Sequence, residues 1–136
     1  MSAELISRPA PQRFWNRRCR VKGPGGSGAT AGGGLWITGW SSGDLFRYDT
    51  KTSTWTRWHL PGDRPQPYAV YVDDTDAVWV SDWGANAILR FDPKTETFES
   101  VPLPDSYASV RQLAGRKGEI WGAESAADKL FIIKTE

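Results

Sequence analysis

The sequence predicts an all-β fold: an incomplete β-propeller of four-stranded antiparallel blades. Three observations carry it. Residues 35–61 lie over residues 78–104 without a gap and agree at nine of 27 positions. Trp36, Trp79 and Trp121 recur at intervals of 43 and then 42 residues. No apolar pattern of 3.6-residue period runs longer than two helical turns, whereas short alternating stretches recur along the chain. A period of about 40–45 residues built from short strands is the signature of a propeller blade.

The middle unit shows the elements most completely. Residues 68–72 are apolar and β-branched, 77–82 and 87–92 alternate, and 97–103 form a weaker outer strand. The breaks at 73–76 (DDTD), 84–86 (GAN) and 93–96 (PKTE) are turn chemistry. Such short loops force an antiparallel meander of strands A to D, from the inside of the blade outwards. The complete blade covers about 67–104. Strands B to D of an earlier blade occupy about 34–61, and strands A to C of a later one about 109–133. A closed ring takes about four to eight blades, so residues 34–136 make a partial propeller.

Residues 1–33 form a separate segment, basic, Gly-rich and expected to be poorly ordered. Where the first blade's strand A belongs, residues 23–34 carry seven Gly in twelve, and Gly weakens a strand and packs nothing. Two explanations compete, a flexible linker and a truncated or frame-shifted gene, and loss of a strand that the fold requires favours the second. The last unit stops without strand D. In closed propellers the N-terminal segment commonly supplies that strand, so the chain's end reads as natural and its start does not.

Overall charge is nearly balanced, at +1, and makes no case for nucleic acid as a partner. The balance hides an asymmetry: residues 1–34 carry six basic groups and one acid, the remainder 11 basic and 15 acidic groups. The basic arm, with Trp15, is weighed as a contact for nucleic acid or anionic lipid and set aside, because its charges are few and interleaved with Pro and Gly. Cys19 is alone, so no internal disulfide forms. No run of 18 apolar residues exists, hence no expected membrane helix. No apolar stretch follows Arg17-Arg18, so no signal peptide is read and the cytoplasm is favoured for the chain as written. Eight Trp suggest either a stacking surface or a repeated core slot. Five of them (Trp36, Trp79, Trp121, Trp40 and Trp83) occupy repeat-equivalent positions, which favours the core.

The stretches PYAV (67–70), AVWVSD (77–82), NAILRFDP (86–93) and FESVPLP (98–104) resemble the repeat of the virginiamycin B lyase family, the streptogramin B lyases. Residues 109–133 resemble the C-terminal blade of its bacterial members. The resemblance covers residues 34–133. It implies a seven-bladed parent and a reaction in which the ester of a cyclic depsipeptide antibiotic is opened by elimination, with magnesium and a histidine. Such chemistry needs a base of near-neutral pKa for the proton alpha to the carbonyl, and a cation or preorganised donors for the enolate.

In a meander, the start of strand A and the end of strand B lie at one end of the blade, and the resemblance puts its histidines and glutamates there. In the middle blade those places hold Tyr68 and Asp82, and in the last Val110 and Glu124. Asp82 and Glu124 are the candidate magnesium ligands, as oxygen donors; edge-of-channel acids paired to an arginine are the plainer alternative. Tyr68 stands where the catalytic histidine belongs, and a tyrosine of ordinary pKa, about 10, is a poor base. Arg111 is a candidate oxyanion stabiliser or a partner of Glu124 or Asp82. The only histidine, His59, reads as a surface residue of an outer strand. Asp73, Asp74 and Asp76 suggest a calcium loop, but the equivalent turn of the next unit is GRKG (115–118), so a plain A–B turn is expected. Arg47/Arg90 and Asp49/Asp92 recur with the repeat and are expected to pair between blades.

Three functions follow: a streptogramin B lyase-like propeller for a small cyclic peptide-like ligand, a non-catalytic binding or scaffold propeller, and an inactive truncated gene product. The missing histidine separates the first from the other two. The open blade faces also predict self-association.

Overall fold

The structure, a computed structural model, describes residues 1–6, 27–29 and 33–135. Among these residues it holds no helix, and its strands in chain order are β1 (Ala3–Ile6), β2 (Ser27–Ala29), β3 (Gly34–Gly39), β4 (Asp44–Asp49), β5 (Thr54–His59), β6 (Pro67–Val72), β7 (Val78–Asp82), β8 (Ala87–Asp92), β9 (Thr97–Pro102), β10 (Val110–Arg116), β11 (Glu119–Glu124) and β12 (Lys129–Lys134). They form three four-stranded antiparallel sheets: β2-β3-β4-β5 (blade 1), β6-β7-β8-β9 (blade 2) and β1-β12-β11-β10 (blade 3). Blade 2 follows the predicted strands to within a residue at each end. β2 and β3 lie against β6, and β10 lies against β6 and β7, so the blades stand side by side with β6 and β10 inside.

Two strands lie where the sequence reading expected none. β1 pairs with β12 in the register Ala3↔Ile133, Glu4↔Ile132, Leu5↔Phe131 and Ile6↔Leu130, and so supplies blade 3 with its outer strand. The physical demand comes from β12, whose Leu130, Phe131, Ile132 and Ile133 would otherwise form an open apolar edge. β2 runs along β3 with Gly28 opposite Trp36. Ladder hydrogen bonds come from the backbone, so a Gly-rich stretch can still serve as a short inner strand. The remainder of the basic segment, with Trp15, Arg17, Arg18 and Cys19, lies outside the described residues.

The core sits between blades. Trp36, Leu45 and Leu60 of blade 1 pack on Val70, Val78, Val80, Leu89 and Phe91 of blade 2. Ala69, Trp79, Ile88, Val101 and Leu103 of blade 2 pack on Val110, Leu113, Ile120, Phe131 and Ile133 of blade 3. The strand-B tryptophan therefore fills the seam with the following blade: Trp36 and Trp79 are 1% and 0% exposed. Trp121, with no following blade among the described residues, is only half-buried. A hydroxyl reinforces each seam. Thr38 donates to the carbonyl of Tyr68 at 2.7 Å, and Ser81 to that of Val110 at 2.9 Å.

The recurring D-x-K-T-x-T stretch is a turn device. Asp49 accepts from the amides of Lys51 and Thr52, Asp92 from that of Lys94, and the flanking threonine pairs Thr52/Thr54 and Thr95/Thr97 each share a 2.7 Å hydrogen bond. Backbone donors hold the Asp49 carboxyl below its ordinary range. Arg47 reaches Asp49 two residues along its own strand, and Arg90 reaches Glu99 on the adjacent strand β9. These pairs lie within blades, which corrects the expectation of an inter-blade ladder. Their recurrence reflects the turn and its flanks.

Candidate functional site

The inner strands place the candidate residues at one end of the blades. Pro67 opens β6 opposite Asp82, the last residue of β7, and Val110 opens β10 opposite Glu124, the last of β11. Both pairings carry an irregularity next to this point, between Pro67 and Val70 and between Val110 and Leu113. An extra residue there re-aims side chains. The register makes Tyr68 equivalent to Arg111, and Pro67 to Val110. It thus corrects the expectation that matched Tyr68 with Val110.

Tyr68 stacks on Trp83, with ring centroids 5.3 Å apart and 29° between planes. Trp40 meets both edge-on, at 5.9 Å from Tyr68 and 5.0 Å from Trp83. The Arg111 guanidinium lies over the Trp83 ring, 5.4 Å from its centroid. The Trp83 indole N–H donates to the Val110 carbonyl at 2.8 Å, which fixes the ring across the seam. One residue of blade 1, two of blade 2 and one of blade 3 thus make a continuous shelf. Trp40, Tyr68 and Trp83 are half-buried and Arg111 is exposed. Trp40 and Trp83 are therefore not core residues, contrary to the expectation from their recurrence. They follow the end of strand B, where the blade gives way to solvent. Among the described residues Arg111 forms no ion pair with Asp82 or Glu124; its neighbour is an indole face.

The two acids differ in kind. Asp82 is 2% exposed, and its Oδ1 accepts from the amides of Gln66 at 2.7 Å and Gly84 at 2.9 Å. Its Oδ2 is buried, with no hydrogen-bond partner among the described residues. Gly84 is required here, because a Cβ at that position would collide with the Arg64 carbonyl oxygen. Glu124 is fully buried, and among the described residues neither of its carboxyl oxygens has a hydrogen-bond partner. Burial pushes the Glu124 carboxyl up to about 7; the Asp105 carboxylate adds to the rise and Lys129 opposes it. Asp105 is held below the usual range chiefly by Lys129, whose Nζ lies 2.6 Å from Oδ2.

Magnesium takes several oxygen ligands held together. Among the described residues no group of three or more His, Cys, Asp or Glu side chains could hold a metal ion. Asp82 already serves two amides, and Glu124 favours its protonated form up to neutral pH. These residues do not by themselves make a magnesium site. His59 ends the outer strand β5, and its Nδ1 lies 2.9 Å from the buried Asp44. Asp73 accepts from Thr75, Ala77 and, at 2.8 Å, the indole N–H of Trp79. Its oxygens are thus taken by the A–B turn and a core ring. A cavity of about 300 Å³ lined by Asp74, Arg90, Glu99, Lys117 and Thr135, among others, opens at that opposite end, away from the shelf.

The raised Glu124 pKa has a consequence for stability. Between its unfolded value of 4.5 and about 7, the folded protein binds the proton more tightly than the unfolded chain. The stabilisation from this group is complete in acid below that window, and is lost as pH rises through it. Glu124→Gln is therefore expected to raise the melting temperature above about pH 7 relative to the parent and to give no gain near pH 4.5. Thermal melts of both proteins across that range check it; a gain confined to acid contradicts the assignment.

No family model and no curated protein matches the sequence. Solved structures do. A streptogramin B lyase structure superimposes with a TM-score of 0.76 at 24% identity, covering 94% of this chain and 40% of that one. Selenomethionine-substituted virginiamycin B lyase from Staphylococcus aureus gives 0.76 at 19% identity, over 98% of this chain and 42% of that one. The WD40 β-propeller domain of Doa1 gives 0.61 at 11% identity, over 76% and 34%. The chain spans about 40% of the length of the two lyase structures it matches. At these identities the likeness establishes architecture: the chain is an all-β run of antiparallel propeller blades, of the kind found in streptogramin B lyase structures.

Proposed function

We propose that this chain is a ligand-binding propeller segment whose shelf of Trp40, Tyr68, Trp83 and Arg111 takes a small cyclic peptide-like molecule without opening it. The observation that supports this reading is the shelf itself. Half-exposed aromatic rings at the blade ends offer flat apolar area, and Arg111 beside them offers a donor for a carbonyl. The class of ligand comes from the likeness to streptogramin B lyase structures. Elimination requires a positioned base, and no histidine belongs to the shelf; His59, at the end of β5, is held by Asp44 of β4. Tyr68 takes the place the resemblance gives to the histidine, and its ring is engaged in stacking. Among the described residues neither Asp82 nor Glu124 belongs to a cluster that could hold a metal ion, and the reading assigns no step to magnesium.

Titration of a streptogramin B depsipeptide against the protein's tryptophan emission tests it. A saturable change is expected, with Trp83→Ala and Tyr68→Ala each weakening binding by about tenfold, the equivalent of one aromatic contact of roughly 1.4 kcal/mol. Equal binding by the parent and both variants, or no saturable binding by any, contradicts the reading.

A further inference from the structure

We propose that Arg111 selects ligands by a free carboxylate: the shelf takes the C-terminal end of a peptide whose last side chain is aromatic, in preference to the same peptide with that end amidated or esterified. The inference rests on the shelf being a binding surface, and adds the charge of what it binds.

Among the described residues three arginines lie over an indole face. Arg47 lies 5.9 Å from the ring centroid of Trp36, Arg116 5.9 Å from that of Trp121, and Arg111 5.4 Å from that of Trp83. The first two also have an acid: Arg47 pairs with Asp49 at 3.9 Å, and Arg116 with Glu119 at 2.6 Å. Arg57 of β5 and Arg90 of β8 pair with Asp44 and Glu99. Arg111 is thus the strand arginine that, among the described residues, lacks an ion pair, and its guanidinium forms no hydrogen bond with them either. The place that an acid fills beside Arg47 and Arg116 is left to a ligand.

The acids at this end of the blades do not fill it. Asp82 accepts from the amides of Gln66 and Gly84, Asp105 pairs with Lys129 at 2.6 Å, and Glu124 is fully buried. Asp63 and Asp128 stand exposed in the connections at the same end, and no ion pair joins either to Arg111.

The guanidinium is also positioned. The Trp83 indole beneath it donates to the carbonyl of Val110, the residue before Arg111, at 2.8 Å. A guanidinium that stacks through its face leaves its in-plane N–H groups free, and their fork matches a carboxylate at two points. Tyr68, stacked on Trp83 at 5.3 Å, and Trp40, edge-on to Trp83 at 5.0 Å, extend the aromatic surface. A carboxylate on Arg111 and an aromatic side chain on these rings belong to one residue at the C-terminus of a peptide, an end that proteins commonly capture through its charge.

The test titrates N-acetylated Gly-Gly-Phe, as the free acid and as the C-terminal amide, against the protein by calorimetry at low salt. The acid is expected to bind about fivefold more tightly, the modest gain of an exposed charge pair, and added salt is expected to shrink the preference. Arg111→Gln is expected to bring the ratio to about one, and Arg111→Lys, which keeps the charge without the fork, to retain part of it. Equal affinity for acid and amide in the parent overturns the inference and leaves the shelf reading standing. A preference that persists in Arg111→Gln places the cation elsewhere and overturns it as well. Failure of both peptides to bind also overturns it, whereas the shelf reading falls only if the depsipeptide fails to bind too.

Discussion

Replacing Ala3–Ile6 by Gly-Ser-Gly-Ser is expected to make the protein aggregate on mild heating. The four positions of β1 pair with Leu130, Phe131, Ile132 and Ile133 of β12. Ladder hydrogen bonds contribute about 0.5–1.5 kcal/mol each, so loss of the strand costs on the order of 2–4 kcal/mol. The larger effect is exposure. β12 becomes an edge strand with four consecutive apolar residues, a template for pairing with other chains. Light scattering during a thermal ramp, with thioflavin fluorescence, reads both outcomes. An unchanged melting temperature without scattering would show that β1 does not close blade 3.

Trp79→Ala is expected to cost about 3–5 kcal/mol, the usual range for a fully buried aromatic, and a large part of a domain's margin of about 5–15 kcal/mol. Two losses combine. The ring is 0% exposed in the seam between blades 2 and 3. Its N–H also satisfies Asp73 Oδ2, and hydrogen bonds from Trp79 and Thr75 outweigh desolvation in holding that carboxyl below its ordinary range. Without the indole, a carboxylate oxygen loses its donor and the A–B turn loses an anchor. Trp121→Ala, at the equivalent position on the half-buried outer face of blade 3, is expected to cost clearly less in urea denaturation. Equal costs at the two positions would contradict the packing described.

The strands and their order were legible because the chain repeats itself: two aligned copies fixed β3 to β5 and β7 to β9, and Trp121 extended the pattern to β11. β1 was missed for want of length. Its register puts Glu4 where Glu99 stands and Ile6 where Val101 stands, so AELI against FESV was the available signal, too short to rise above chance in an unaligned segment. β2 left no side-chain trace, because glycine pairs through its backbone alone. At the site, topology alone put Asp82 and Glu124 at the correct strand ends. The shelf was not legible. Recurrence identifies Trp36 and Trp40 equally well as repeat positions, and only the end of strand B, where burial fades, separates a seam ring from a surface one. The irregular pairing after Pro67 and Val110, which makes Arg111 the counterpart of Tyr68, likewise has no signature in the residue types.

The most direct test of a propeller face that binds without chemistry is mass spectrometry of a streptogramin B depsipeptide after prolonged incubation with the purified chain, with and without magnesium. Absence of a positioned general base costs about 10²–10⁴-fold in rate, so the predicted result is depsipeptide of unchanged connectivity, recovered from the protein intact. Elimination does not alter mass, so the linear product is read by its fragmentation and retention. Magnesium-dependent accumulation of the linear product that disappears in Glu124→Gln would contradict the account and make this chain a lyase.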